Sequence, residues 1–370
     1  MKVTAAVMEK ADGLLTRRTI RLDEVDLEPP RAGEVLVKVS SCGVCGTDRG
    51  CIHGLEPYPT PGVLGHEGAG TVEEVGPGVT AVKPGDRVMI GFPSCGACRT
   101  CRRGQPRYCT RGKALMFGGY REDGSSPMSR GGETLAGRFF QQSSWATHTL
   151  ATERQLAKVP AGLDLDHAGP YGGSISTGAG TVLNELRPRP GSSIAVFGTG
   201  NVGLAAVMAA RLTGATTIVA VDTVKERLAL ATELGATHAL EYGAGTVAEL
   251  KALTGDALDY AVESTAGANV VADAVAALGA LGVGAVGGGA KTTAEVKVNH
   301  PDLLLNGKRI VGVMGGGGQT PDFLVALMEL QVAGRFPLEK LVTFYDFADI
   351  NKAIDDSDNG VTVKPVVRMR

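Results

Sequence analysis

The spacing of hydrophobic positions changes about halfway along the chain. The first 150 residues contain short apolar or alternating runs separated by Pro and Gly turn signals. Such runs predict strands at Val35–Val39, Gly70–Val75 and Arg87–Ile90. We therefore expect this region to be mostly β.

From about residue 192, apolar strands alternate with helical patterns. The predicted strands are Ser193–Phe197, Thr217–Val221, Leu258–Glu263, Gly282–Val286 and Ile310–Val313, and the predicted helices are Val202–Leu212 and Lys225–Leu234. Alternation of this kind predicts a doubly wound α/β domain with a parallel sheet and right-handed crossovers. After about residue 320 the pattern predicts one more helix and a final strand, Val361–Met369, which we expect to rejoin the β-rich region.

Length and composition narrow the class of protein. A chain of 370 residues favours two domains, and 43% hydrophobic residues is ordinary for a globular protein. The formal charge of −2 provides no general attraction to nucleic acid or acidic membranes. The apolar stretch Ala274–Ala290 is interrupted by glycines, so it predicts a helix end, a turn and a strand, and no membrane span. The N-terminus lacks the apolar core of a secretory signal.

Seven cysteines, an odd number with four in one cluster, favour metal binding in a reducing compartment. The cluster has the spacing Cys95-x2-Cys98-x2-Cys101-x7-Cys109. Four closely spaced thiolates suit tetrahedral zinc and leave no position for a substrate, which predicts a structural site. Six basic residues lie in this segment or just after it: Arg99, Arg102, Arg103, Arg107, Arg111 and Lys113. Compensation of the thiolate charge explains these basic residues better than nucleic-acid binding does. Because reduced cysteines need a reducing compartment, we expect a cytoplasmic protein.

A glycine-rich turn follows the strand Ser193–Phe197 and precedes a helix. It has the pattern Gly-x-Gly-x-x-Gly, formed by Gly198, Gly200, Asn201, Val202 and Gly203. In this context the glycines permit a tight turn, approach of the backbone to a pyrophosphate, and packing of helix on strand. The next strand ends on Asp222, near the position expected for the acid that binds the adenosine ribose. A carboxylate there repels a 2′-phosphate, so we predict binding of NAD rather than NADP.

Two further segments, 42–48 and 65–70, carry possible metal ligands. Cys45 and His66 are typical zinc ligands, and Glu67 provides a carboxylate. The residues alone leave other interpretations open, because a Cys-x-x-Cys pair also serves in redox chemistry and a His-Glu pair is common without function.

The pattern Gly65-His66-Glu67-x2-Gly70-x5-Gly76-x2-Val79 resembles the signature of zinc-containing medium-chain alcohol dehydrogenases. The four-cysteine segment and the glycine-rich turn follow in that family's order. Segments 139–147, 177–184 and 360–366 resemble bacterial aryl-alcohol (benzyl alcohol) dehydrogenases in particular. The resemblance implies a GroES-like catalytic domain (1–177, completed by 318–370), a Rossmann domain (178–317) and an active site in the cleft between them.

The same resemblance implies roles for individual residues. Cys45, His66 and Glu67 are expected at a catalytic zinc, Asp48 is expected to orient His66, and Thr47 to accept the substrate's hydroxyl proton. The other matches are Arg227 near the adenosine ribose, Lys364 near the pyrophosphate, and Phe92 and Trp145 in the substrate pocket. Zinc is expected to polarise the substrate oxygen while hydride passes between an alcohol carbon and the nicotinamide.

The sequence departs from this family at two positions. Gly173 stands where members usually supply another zinc-binding cysteine, and Gly50 stands where some carry a proton-relay histidine. Either Glu67 replaces the missing cysteine or the catalytic metal is weak or absent. Charge permits the first, because one thiolate and one carboxylate neutralise Zn²⁺.

We therefore expect an NAD-dependent homodimer or homotetramer that acts on a small molecule, an aromatic or allylic primary alcohol. The main alternative is a zinc-free reductase of an activated C=C or C=N bond on the same scaffold. A regulatory NAD-binding protein without turnover and a nucleic-acid-binding zinc protein are two further alternatives.

Overall fold

The computed structural model describes residues 1–10, 17–256, 258–289, 294–318 and 320–370. They form two compact units, of which the first comprises Met1–Gly173, Gln319–Gly334 and Leu338–Arg370. The second comprises Ser174–Gly318 and Arg335–Pro337. The sequence places the first boundary four residues later, at 177/178. Ala290, the end of one apolar stretch considered above, lies outside the described residues.

The first unit is built on two sheets. Numbered along the chain, its strands are β1 (Lys2–Met8), β2 (Ile20–Leu27), β3 (Glu34–Gly43), β4 (Gly62–Val63), β5 (Gly68–Val75), β6 (Arg87–Ile90), β7 (Met128–Arg130), β8 (Glu133–Leu135), β9 (His148–Thr152), β10 (Leu156–Lys158), β17 (Val342–Asp346) and β18 (Lys364–Arg368). One sheet has the order β4-β1-β2-β7-β8, and the other has β10-β6-β5-β3-β18-β17 with β9 also on β3. The tail therefore rejoins the β-rich region through β18, which pairs antiparallel with β3.

The second unit holds the parallel sheet. Its strands are β11 (Ser193–Phe197), β12 (Thr217–Asp222), β13 (His238–Glu241), β14 (Leu258–Glu263), β15 (Leu278–Val286) and β16 (Arg309–Gly312). They are ordered β13-β12-β11-β14-β15-β16, with every neighbouring pair parallel. This confirms the predicted doubly wound domain, and several predicted strands match to within one residue.

Helices connect these strands. Those of the first unit are α1 (Gly46–Ile52), α2 (Arg99–Arg102), α3 (Gly112–Phe117), α10 (Pro321–Val332) and α11 (Ile350–Asp358), and those of the second are α4 (Ser174–Gly180), α5 (Asn201–Thr213), α6 (Lys225–Leu234), α7 (Thr246–Thr254), α8 (Ala268–Ala277) and α9 (His300–Leu305). The prediction of one helix and one strand after residue 320 is wrong, because the tail has two helices and two strands. Among the described residues, no helix has both the length and the apolar composition needed to cross a bilayer.

Each unit has its own hydrophobic core. In the first, the largest cluster contains the fully buried Trp145 and Phe139 and extends to the helix α11 through Ile350 and Ile354. In the second, Phe197 and Val221 pack beneath the helices of the parallel sheet. The core of the first unit surrounds the loops after β3 and β4, which carry the candidate metal ligands.

Candidate active site

Cys45 occupies the position that precedes α1, and the first turn of this helix fixes it. The Cys45 backbone N–H donates a hydrogen bond of 2.9 Å to the Asp48 carboxylate. Asp48 is fully buried, whereas Cys45 and Thr47 are partly exposed. The helix thus presents a thiol and a hydroxyl on a rigid turn whose buried carboxylate faces inward.

The same Asp48 holds His66. Its other oxygen accepts from the Gly65 backbone N–H at 3.1 Å and lies 3.0 Å from His66 Nδ1. With Nδ1–H directed at a carboxylate, Nε2 keeps its lone pair for a metal ion. Burial lowers the pKa of His66, but Asp48 and Cys45 outweigh it and raise this pKa well above its ordinary value. Only a cation can replace that proton without loss of charge balance.

Glu67 completes a cluster of possible ligands. The Cys45 sulfur, a His66 ring nitrogen and a Glu67 carboxylate oxygen all lie within 4.8 Å of one another. Glu67 is fully buried and forms an ion pair with the equally buried Lys364. Sulfur, nitrogen and carboxylate oxygen in this arrangement are a suitable donor set for zinc.

The Glu67 side chain fills the space next to two glycines. A Cβ placed on Gly173 would lie 2.3 Å from Glu67 Oε1, and one placed on Gly43 would lie 2.0 Å from Oε2. The backbone at Gly173 therefore still approaches the cluster. The carboxylate occupies the place into which a cysteine at this position would project.

Lys364 lies in a different environment from the one that the resemblance implies. Its ammonium group is fully buried, pairs with Glu67 and donates a 3.2 Å hydrogen bond to the Val44 carbonyl. A lysine that contacts a pyrophosphate directly needs an accessible ammonium group. These contacts assign Lys364 to the ligand cluster instead.

Sequence reasoning missed Gln142. Its side-chain N–H donates to the His66 carbonyl at 3.0 Å, and its side-chain oxygen accepts from the Gly68 N–H at 3.2 Å. The amide thereby holds both ends of the segment that carries His66 and Glu67. The polar stretch around Gln142 is visible in the sequence, but its partners are about 75 residues away.

The aromatic side chain closest to the cluster is also one that was missed. Phe140 stacks on the His66 ring at 4.4 Å and contacts Phe92 edge-on at 5.2 Å. Phe140 has a φ of 49°, in the left-handed region, and such strain is concentrated at functional sites. Phe92 is partly exposed, as a pocket wall must be, whereas Trp145 is fully buried in the core and packs against Gly65.

Gly50 leaves space on α1 that another side chain fills. A Cβ on Gly50 would lie 3.1 Å from the Cγ of Glu56. The partly exposed Glu56 carboxyl group therefore lies on the side of α1 where some relatives carry a histidine.

The four cysteines of the loop 95–109 converge as predicted. Their sulfur atoms lie within 4.8 Å of one another, and three of the residues are partly exposed. The Thr100 hydroxyl and the Cys101 backbone lower the pKa of Cys98 to about 4, whereas burial and the neighbouring Cys98 raise the pKa of Cys101 to about 12. Four thiolates this close repel one another, so a bound divalent cation is needed for all four to ionise.

The glycine-rich turn of the second unit fits a pyrophosphate. Gly198 has a φ of +85°, and a Cβ on Gly203 would lie 1.7 Å from the Gly198 carbonyl oxygen. A Cβ on Gly200 would meet open space, and no side chain caps the first turn of α5, which begins with Asn201 and Val202. The N–H groups of that turn therefore remain available for an anion.

Asp222 lies at the end of β12 beside this turn. One carboxylate oxygen accepts from the Thr199 backbone N–H at 2.5 Å and from its hydroxyl at 2.7 Å, and the other accepts from the Val224 N–H at 3.0 Å. Asp222 thus braces the turn as well as placing negative charge there. Arg227, in the first turn of α6, is partly exposed.

Comparison with known proteins places these sites in a family. Residues 31–161 match the model of the alcohol dehydrogenase GroES-like domain, and residues 201–330 match that of the zinc-binding dehydrogenases. Geraniol dehydrogenase of Castellaniella defragrans is 38% identical over 366 residues, which cover 98% of this chain and 96% of that protein.

Two solved structures are similar along their whole length. A zinc-binding-domain alcohol dehydrogenase of Burkholderia ambifaria has a TM-score of 0.96 and 43% identity, covering 100% of this chain and 99% of the other. Benzyl alcohol dehydrogenase of Acinetobacter calcoaceticus has a TM-score of 0.95 and 38% identity, covering 100% of both chains. The chain belongs to the zinc-containing medium-chain alcohol dehydrogenase family.

Proposed function

We propose that this enzyme uses NAD(H) and a catalytic zinc to interconvert a primary aromatic or allylic alcohol and its aldehyde. The observation that carries the proposal is the convergence of Cys45, His66 and Glu67, with the Glu67 carboxylate in the space beside Gly173. A ligand set that retains three donors explains how the family's chemistry persists without the usual cysteine.

Cys45, His66 and Glu67 would hold the zinc, which supplies a Lewis acid that lowers the pKa of the substrate hydroxyl. The thiolate and the carboxylate balance its charge. Asp48 orients His66 and the Cys45 backbone. Gln142 fixes the segment from His66 to Gly68, and Lys364 holds the Glu67 carboxylate in place. These contacts preorganise the ligands, so little rearrangement accompanies metal binding.

Proton release is assigned to α1. The Thr47 hydroxyl, partly exposed in its first turn, accepts the substrate's proton and passes it on towards solvent. The Glu56 carboxyl group beside Gly50 offers an acceptor on the path where some relatives use histidine.

The substrate class rests on the aromatic side chains and on two relatives. Phe92 and Phe117 each contact Phe140 beside His66, with ring centroids 5.2 and 5.6 Å from that of Phe140. A flat apolar substrate packs well against such edges and faces. The names of the geraniol and benzyl alcohol dehydrogenases, an allylic and an aromatic alcohol, agree with it.

The preference for NAD rests on Asp222. The residue is 8% exposed and its carboxylate accepts hydrogen bonds from Thr199 and Val224, so it cannot turn away from a 2′-phosphate without breaking these hydrogen bonds. Arg227, partly exposed in the first turn of α6, is assigned to the adenosine ribose.

We assign a homo-oligomeric state from the second unit. Its edge strand β16 exposes Ile310, and nearby Leu281, Leu304 and Leu305 are 68–81% exposed. Large apolar side chains around an unpaired strand edge favour burial against a second copy. Reduced cysteines as metal ligands support a cytoplasmic location.

One observation favours the zinc-free reductase as the alternative. The Glu67–Lys364 ion pair satisfies the buried carboxylate without a metal ion. In that reading the ion pair is purely structural, and Thr47 assists protonation of an activated C=C or C=N bond.

The two readings differ in metal content and turnover. We expect two zinc ions per protomer by mass spectrometry of the purified protein. With NAD, turnover of benzyl alcohol and geraniol should be well above turnover of ethanol. Turnover of the same two alcohols should be much lower with NADP than with NAD. One zinc per protomer, no alcohol oxidation, and NADH consumption with an activated alkene would establish the alternative.

A further inference from the structure

A cavity of about 220 Å³ lies in the first unit, at the boundary between the four-cysteine loop and the start of α10. It is lined by Phe92, three prolines and two arginines, Arg107 and Arg154. Among the described residues, none that lines it is acidic. The cavity therefore combines flat apolar walls with concentrated positive charge.

Arg107 is the more enclosed of the two cations. Its guanidinium lies 3.8 Å from the centre of the Phe92 ring, and its buried Nε has no hydrogen-bond partner among the described residues. A buried guanidinium N–H without an acceptor is costly, and an anion in the cavity that accepts from it would offset that cost.

Arg154 also lines this cavity. Its guanidinium packs directly over Gly96, where a Cβ would lie 2.3 Å from Cζ. Arg154 is exposed, so it lies at the mouth of the cavity while Arg107 lies deeper.

The basic residues of the loop are not equivalent. Arg99, Arg102 and Arg103 lie on or next to α2 and face solvent, close in sequence to the cysteines whose charge they can balance. Arg107 is directed instead at Phe92. Cys101 also lines the cavity, so compensation of the thiolates by Arg107 is the competing explanation that an experiment must test.

We propose that this cavity binds a free arene carboxylate, with the carboxylate between Arg107 and Arg154 and the ring against Phe92 and the prolines. The cavity shares the Phe92 wall with the proposed substrate pocket, but none of Cys45, His66 and Glu67 lines it. Phe140 stacks on His66 and Phe92 contacts Phe140, so aromatic side chains fill the path from the cluster to Arg107. The proposal does not depend on the substrate or on the catalytic metal.

The test uses the purified full-length protein without cofactor, titrated calorimetrically with benzoate and with the isosteric neutral benzamide. We expect benzoate to bind at least about 10-fold more tightly, since a charge-assisted pair outweighs a neutral contact by at least that factor. Arg107→Gln should weaken benzoate binding at least about 10-fold, Arg154→Gln should weaken it less, and the matched control Arg103→Gln should leave it unchanged.

Any of four results would overturn the proposal. Equal binding of benzamide and benzoate would mean that the cavity is only apolar. Equal losses of benzoate affinity in Arg107→Gln and Arg103→Gln would indicate that the overall positive charge of the loop attracts the anion. Loss of one zinc equivalent in Arg107→Gln would show that this arginine serves the thiolates. Competition of benzoate with benzyl alcohol that disappears in Arg107→Gln would place the anion in the substrate pocket, contrary to a separate site.

Discussion

The two candidate zinc sites of this enzyme are built in opposite ways. The four cysteines come from one loop of fifteen residues, and three of them are partly exposed. Of the other cluster, His66 and Glu67 are buried, and its ligands and their partners come from α1, the segment before β5, Gln142 and β18. One site is local and the other depends on the whole first unit.

This difference separates what a motif can specify from what a fold must provide. A loop with four thiols needs only a cation to close it. The second cluster needs a buried carboxylate, and a buried carboxylate requires a counter-charge from elsewhere in the chain. Lys364 provides that charge, and the cost of burying both groups is recovered only if they remain paired.

The strongest test of this dependence is Glu67→Gln. We expect loss of the catalytic zinc, retention of the four-cysteine zinc, and a fall in kcat/KM greater than the roughly 100-fold that loss of an outer-shell partner brings. The free energy of unfolding should also fall by about 3–5 kcal/mol, because the buried Lys364 loses its counter-charge. Metal analysis, kinetics and chemical denaturation measure these effects.

A double variant separates metal binding from stability. Glu67→Gln with Lys364→Met should regain most of the stability but none of the zinc. The exposed pair Lys2–Asp26 provides the matched control, since Asp26→Asn should change neither quantity. If Glu67→Gln retained both zinc ions, direct coordination by Glu67 would be wrong.

Cys101→Ser tests the local site. We expect loss of one zinc equivalent and a decrease in Tm of at least about 5 °C, because assembly of the site is coupled to folding of the loop. The second zinc should remain, and turnover by the folded fraction should be unchanged. A disulfide among the four cysteines in the zinc-replete protein would contradict this assignment.

Gly173→Cys introduces the usual cysteine into a space that is already filled. Its Cβ would lie 2.3 Å from Glu67 Oε1, so the carboxylate must move before the new thiol can bind metal. The single variant should therefore lose stability, and metal affinity should rise only when Glu67 is shortened as well, as in Gly173→Cys with Glu67→Ala. Tighter zinc binding by the single variant, measured with a competing chelator, would show that Glu67 moves freely.

Asp48→Asn probes the support of the buried cluster. The amide keeps the shape but removes the charge that holds Nδ1–H of His66, so zinc affinity at this site should fall about 10- to 100-fold. The four-cysteine zinc provides an internal control in the same competition experiment. An unchanged affinity would mean that neither the charge of Asp48 nor its second acceptor oxygen is needed to hold His66 for the metal.

The smallest effect is expected for Asp222→Gly, in the second unit. Removal of the carboxylate should narrow the preference for NAD over NADP by about tenfold, a change of roughly 1.4 kcal/mol. It should weaken binding of both cofactors, because Thr199 loses its acceptor. Binding titrations with Glu226→Gln, an exposed acid on α6, provide the control, and an original preference for NADP would refute the assignment.

The sequence predicts the features that depend on neighbours in the chain. Arg87–Ile90 and Ser193–Phe197 are strands from end to end as predicted, since turn residues bound them and their composition is strongly apolar. The predicted convergence of the four cysteines is also correct, because their close spacing in the chain brings them together. In contrast, β17 was missed because it is only partly buried and is stabilised by its pairing with β18.

The functional contacts that the sequence did not reveal join residues far apart in the chain. Lys364 was expected at a pyrophosphate, and only the pairing of β18 with β3 reveals that it reaches Glu67. Gln142 was missed because an amide that bonds to a distant backbone has no sequence signature. The role of Glu67 beside Gly173 could be predicted from the missing cysteine. The role of Gly43, which makes room for the same carboxylate, could not be predicted from the sequence.

The place of β18 in the sheet has a consequence for the order of events during synthesis. Domains begin to fold while the chain leaves the ribosome, N-terminal parts first. The four-cysteine loop has every ligand once Cys109 has emerged, so it can take up its metal early. The cluster at Glu67 lacks its counter-charge until Lys364 has been translated and β18 has inserted between β3 and β17. Nascent chains of increasing length should therefore acquire their two metal ions at two separate stages.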